Sequence, residues 1–89
     1  MKRVHVIIKG YVQGINFRYN TREKAESLGL TGWIKNLPDN SVEAVFEGSE
    51  EMINEILEFC KKGTIGSKVI DIKIREEPAE NLKCFEIKF

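Results

Sequence analysis

An α+β fold, a sheet carrying two helices on one face, is what this sequence predicts, and three patterns predict it. Short segments alternate apolar and polar residues with the period of two that a half-buried strand requires. Two longer segments repeat apolar residues with the helical period. The two kinds interleave in the order strand, helix, strand, strand, helix, strand. The chain has 89 residues and reads as one domain over residues 1–89. At this length roughly 60–65% of the unfolded surface can be buried, enough for one modest core.

Residues 3–9, RVHVIIK, put Val4, Val6 and Ile8 on one face of a first strand, which Gly10 stops. After the loop GYVQGIN, the apolar positions Phe17, Thr21 (by its methyl), Ala25 and Leu28 recur at helical spacing, and Gly29 is a natural stop. Residues 31–36, TGWIKN, read as a second strand, and the turn residues 37–41 connect it to a third, SVEAVFEG. There Val42, Ala44 and Phe46 alternate with Glu43 and Glu47, with Val45 the apolar exception on the outer face. Ser49 caps the second helix. Glu50 and Glu51 suit its positive end, Met52, Ile53, Ile56, Leu57 and Cys60 form its stripe, and Lys61, Lys62 and Gly63 close it. Ile70, Ile72 and Ile74 mark a fourth strand over 69–75, and Phe85, Ile87 and Phe89 a fifth over 83–89.

Two interlocked crossovers of this kind make a ferredoxin-like βαββαβ sandwich: a mostly antiparallel sheet, two helices on one face and a fifth edge strand. In such a sheet the first and second strands run parallel on either side of the third, so they finish at the same edge. The loop after the first strand and Asn36 at the end of the second therefore face each other. The fourth strand begins at that edge too, which brings residues 64–68 near.

Lysine plus arginine balance aspartate plus glutamate, 14 against 14, so no global field gathers polyanions and any anion site must be local. No apolar stretch is long enough for a signal peptide or membrane span, and a cytoplasmic location without membrane association is expected. Cys60 and Cys84 lack zinc-site spacing with the one histidine, His5, and read as reduced. His5 reads as a surface or satisfied strand residue, Trp33 and Phe46 as core, and Tyr11 and Tyr19, which flank the loop, as packing residues. An RNA-binding sheet is disfavoured because the third strand lacks the aromatic-rich basic signature and exposes Glu43 and Glu47.

Gly10 and Gly14 bracket a loop that runs straight into a helix N-terminus, where backbone N–H groups lack partners and the dipole's positive end points outward. Glycines let successive amides converge, and Arg18 in the first turn adds a fork of donors matched to two phosphate oxygens. Taken alone, two glycines before a helix are more often a plain turn.

The full string is more specific. Gly10-Tyr11-Val12-Gln13-Gly14-Ile15-Asn16-Phe17-Arg18, then Gly32-Trp33-Ile34-Lys35-Asn36, then Asp39-Asn40-Ser41-Val42-Glu43 resembles the acylphosphatase family in order and spacing. That family's signatures read GxVQGVxFR, then GWVxN followed by DGxVE, and the resemblance extends over essentially the whole chain. It implies hydrolysis of a small-molecule acyl phosphate to carboxylate and inorganic phosphate, with no metal and no cofactor. It places the catalytic arginine on Arg18 and the catalytic asparagine on Asn36. Substrate binding falls on Gln13, Gly14, Ile15, Asn16, Phe17 and Arg18, with phosphate or sulfate acting as inhibitors. It also implies that the Phe89 carboxylate lies near Arg18 and orients it. Three positions depart from the pattern: Ile15 for valine, Asn40 for the turn glycine, and Gly63-Thr64-Ile65 where proline commonly follows glycine.

The chemistry agrees with the residues available. The chain offers no Ser-His-Asp set and no carboxylate-rich metal cluster, and an acyl phosphate needs neither. Its leaving carboxylate has a conjugate-acid pKa of about 4, so no general acid is required at neutral pH. Phosphoryl transfer through a loose transition state mainly needs positioning and charge stabilisation. Arg18 and the amides of Gln13 to Arg18 supply the second, and Asn36 holds the attacking water. A non-catalytic anion-binding domain is the rival reading, since acylphosphatase-like folds also occur inside larger enzymes. A monomer is expected.

Overall fold

The computed structural model describes residues 1–14, 16–64 and 66–89. Its elements in order are β1 (Lys2–Tyr11), α1 (Phe17–Ser27), β2 (Thr31–Asn36), β3 (Val42–Gly48), α2 (Glu50–Lys62), β4 (Lys68–Glu77) and β5 (Phe85–Lys88). They form one five-stranded sheet in the order β4-β1-β3-β2-β5. β1 is antiparallel to β3 and β4, β3 is antiparallel to β2, and the edge strand β5 runs parallel to β2. This is the ferredoxin-like arrangement that the alternation of elements predicts.

The core follows from the strand period. Val4, Val6, Ile8, Ile34, Val42, Ala44, Phe46 and Phe85 point to one face, where they meet Phe17 and Ala25 of α1 and Ile53, Ile56, Leu57 and Cys60 of α2. The rings of Phe46 and Phe85 stack with centroids 5.6 Å apart, which carries the core across to the fifth strand. α2 forms as its sequence dictates: the Ser49 hydroxyl accepts from the Met52 amide at 3.3 Å, acids sit in the first turn and lysines in the last.

Several expectations are corrected here. β5 covers only Phe85–Lys88, because β4 and β5 lie at opposite edges and the chain between them must cross the sheet's other face. Ile70 is 69% exposed: the register of β4 on β1 shifts between Lys9 and Gly10, and this bulge turns Ile70 out of the alternation. At that point Gly10 has φ +138°, and a Cβ there would lie 2.0 Å from the Lys68 carbonyl oxygen, so only glycine fits.

Glu47, expected to be exposed, is buried. Segment 78–84 crosses above it, and its carboxylate accepts the Glu80 amide at 2.7 Å, the Leu82 amide at 2.8 Å and Arg3 Nη1 at 3.0 Å. Burial alone pushes this carboxyl up, but the two amides and Arg3 outweigh it and hold it below the usual glutamate value. Trp33 is likewise not part of the helix-side core. It lies half-buried on the open face beside the fully buried Val45, with Lys35 Nζ 5.5 Å and Lys88 Nζ 4.8 Å from its ring centroid. His5, also on that face, is satisfied by Glu43 at 2.6 Å. Among the described residues no helix is long and apolar enough to cross a membrane.

Candidate active site

The loop between β1 and α1 is fixed at both ends by core residues, since Val12 and Phe17 are each 1% exposed. Between them Gly14 (φ +77°) and Asn16 (φ 62°, ψ 21°) are left-handed, which curls the backbone over the start of α1. The N-terminus of α1 is left open. Asn16 makes no side-chain cap hydrogen bond and the first turn holds no acid. α2 has both, a serine that accepts the Met52 amide and two acids, so the starts of the two helices differ in that α1 has no side-chain acceptor or acid of its own.

Arg18 extends from that first turn. Its Nη1 donates a long hydrogen bond of 3.5 Å to the Lys88 carbonyl, and its guanidinium carbon lies 5.0 Å from the Phe89 ring centroid. The Phe89 ring and the Lys88 carbonyl therefore hold the guanidinium at the C-terminal end of the chain. No ion pair involving Arg18 occurs among the described residues, so its charge is open to a ligand.

Asn36 ends β2, on the helix side of the sheet, and its Oδ1 is buried without a hydrogen-bond partner. A buried amide oxygen left in this way is costly unless water or a ligand meets it. Val12, Gly14, Asn16, Phe17, Arg18, Tyr19 and Asn36 line one small pocket of about 150 Å³. That is below the roughly 300–1,000 Å³ of sites for drug-sized molecules, and it suits a compact anion. A larger groove of about 510 Å³ runs along the helices, but three glutamates against the two lysines Lys24 and Lys62 line it, so it offers an anion no net positive charge.

Of the residues singled out in the sequence, Gly14, Asn16, Phe17, Arg18 and Asn36 meet at this pocket. Ile15 lies outside the described residues, as does Ile65 of the departing loop. Thr64 borders a neighbouring groove with Asn20 and Glu23 instead of the pocket. Gln13 does not line it either: its side chain turns away to donate to the Leu37 and Ser41 carbonyls. Tyr11 and Tyr19 are 73% and 44% exposed, so neither is the packing residue expected. Tyr19 stands at the pocket rim with the Arg22 guanidinium 5.5 Å from its ring centroid. No group of three or more His, Cys, Asp or Glu side chains among the described residues is placed to hold a metal ion.

The acylphosphatase family model matches residues 4–87. The chain belongs to the acylphosphatase family. An acylphosphatase of Trichormus variabilis is 48% identical over 86 residues, covering 97% of this chain and 85% of that one. The crystal structure of acylphosphatase from Bacillus subtilis superposes with a TM-score of 0.97 at 37% identity, with both chains covered completely. A stretch of T. kodakarensis HypF is 33% identical with a TM-score of 0.86, covering 99% of this chain but 12% of that one, so the fold also occurs inside a longer chain. Acylphosphatases hydrolyse the carboxyl–phosphate bond of acyl phosphates, and this is the activity of the chain.

Proposed function

We propose that hydrolysis runs on a phosphoryl cradle made of Arg18 and the amides of residues 13–18, with Asn36 holding the attacking water. The observation that carries this reading is the single pocket shared by Arg18, Asn36 and the uncapped start of α1. Dipole, amides and guanidinium all place positive charge where the equatorial phosphoryl oxygens gather negative charge in a loose transition state. The side-chain amide of Asn36, at the pocket wall, hydrogen-bonds the water and so aims the oxygen lone pair at phosphorus. The water oxygen bonds to phosphorus, the bond from phosphorus to the acyl oxygen breaks, and the electron pair leaves with the carboxylate. The water's proton passes to a phosphoryl oxygen of the substrate, so no side chain has to titrate.

The reading extends to a monomeric, metal-free, cofactor-free enzyme acting as one unit over residues 1–89, without nucleic-acid partners. The cytoplasm is its proposed compartment, supported by two unbridged cysteines, Cys60 buried and Cys84 exposed. Purified protein assayed on benzoyl phosphate should release benzoate and phosphate, with inorganic phosphate or sulfate inhibiting competitively and EDTA without effect. A divalent-ion requirement restored after chelation overturns the mechanism, and binding of phosphate without turnover selects the non-catalytic reading.

A further inference from the structure

We propose that Gln13 is a positioning residue whose side-chain amide sets the distance between the phosphate cradle and Asn36. The inference rests on the roles given above to Arg18 and Asn36. Gln13 Nε2 donates to the Leu37 carbonyl at 2.9 Å and to the Ser41 carbonyl at 2.8 Å. Both partners are acceptors only, so both amide hydrogens are used and the orientation of the group is fixed by chemistry. The Ser41 carbonyl also accepts the Leu37 amide at 2.8 Å, which closes the β2–β3 turn on itself and presents the two carbonyls side by side to Gln13.

The neighbours of these residues make the clamp consequential. Gln13 directly precedes Gly14, a wall of the pocket, and Leu37 directly follows Asn36, the opposite wall. Among the described residues this amide is the one hydrogen-bonded link between the loop and the turn. The turn end is itself stiff, because the Asp39 carboxylate accepts both the Ser41 amide and the Ser41 hydroxyl. The loop end has no such side-chain brace of its own among the described residues, since Gly14 carries no side chain and Asn16 makes no side-chain cap hydrogen bond. Gln13 thus transfers the rigidity of the turn to the loop, and with it the separation of phosphorus from the water that Asn36 holds.

The test is a double-mutant cycle on benzoyl phosphate hydrolysis. Gln13→Met keeps the length of the side chain and removes its donors. It should lower kcat between about 10-fold and 100-fold, the range for a displacement near 1 Å. The inhibition constant of inorganic phosphate should stay within about twofold. In an Asn36→Ala background the same substitution should lower kcat no further, because there is no longer a held water to misplace. Gln13→Asn, one methylene short of both carbonyls, runs in parallel and should show the same pattern, with folding of each variant checked by circular dichroism. Wild-type kcat in Gln13→Met, an equal fold-loss in both backgrounds, or phosphate inhibition weakened as much as kcat overturns the clamp and leaves the role of Asn36 standing. Wild-type turnover in Asn36→Ala itself overturns both.

Discussion

Arg18 and Asn36 face the same pocket with different chemistry, one a permanent charge and the other a neutral amide oxygen left without a partner. Their substitutions should therefore fail differently. Arg18→Ala should lose phosphate inhibition and turnover together, because a charge-assisted contact of this kind contributes about 2–4 kcal/mol to the transition state. Asn36→Ala should keep phosphate inhibition near wild type while kcat falls about 100-fold, as when an interaction made mainly in the transition state is removed. Steady-state kinetics with phosphate as inhibitor checks both; lost phosphate affinity with normal kcat in Asn36→Ala would sink the water-holding role. That Arg18 and Asn36 meet at one pocket was legible in the sequence, because motif spacing and strand order bring them to one edge of the sheet. The clamp of Gln13 was not, since its partners are backbone carbonyls 24 and 28 positions away and carry no residue-type signal.

Helices α1 and α2 resemble each other in length but differ in how they begin, and the difference predicts opposite responses to small changes. Ser49→Ala removes the cap of α2 and should cost about 1 kcal/mol in a urea melt with kcat unchanged. Asn16→Asp should leave the fold intact, since aspartate also tolerates left-handed backbone. Yet it sets a carboxylate where the phosphoryl group binds and should weaken phosphate inhibition more than tenfold, about 1.4 kcal/mol or more. Phosphate affinity at wild-type level in Asn16→Asp would remove α1's N-terminus from the site. Element types and order follow directly from periods of two and 3.6 in the sequence, which is why the helix-side core is legible. Ile70 and the short β5 were not, since one depends on a bulge and the other on a crossing segment, which leave no periodic trace; the outer-face placement of Trp33 follows from its alternation with Ile34 and was open to the same reading.

Across the whole molecule, the link from β4 to β5 is held by the buried Glu47 carboxylate through two of its amides, beside a Gly32–Cys84 backbone hydrogen bond and an Arg3–Glu80 contact, and this gives stability a pH dependence with a definite sign. The carboxyls of Glu47, Glu77 and Asp39 are all held below their ordinary values. For Glu47 two amides and Arg3 overcome burial; for Glu77 the Arg3 hydrogen bond leads; for Asp39 it is the Ser41 hydroxyl. A carboxyl depressed in the folded state binds fewer protons there than in the unfolded chain, so its stabilisation is complete above the unfolded value, about 4.3 for glutamate and 3.9 for aspartate. It is lost as pH falls below that. Urea midpoints should be flat from neutral pH to about 5 and then drop. Glu47→Gln should cost about 3 kcal/mol at neutral pH, the low end for a broken buried pair because Arg3 keeps Glu77, and should shallow the acid limb. An unchanged acid limb would exclude Glu47 as the anchor. The strand order carries one more consequence, for synthesis. Among the described residues the sheet partners of β1 are β3 and β4, so β1 has no strand to pair with until the chain beyond residue 41 has been made. A released fragment ending before Val42 should be digested by protease along its whole length, whereas the full chain should resist.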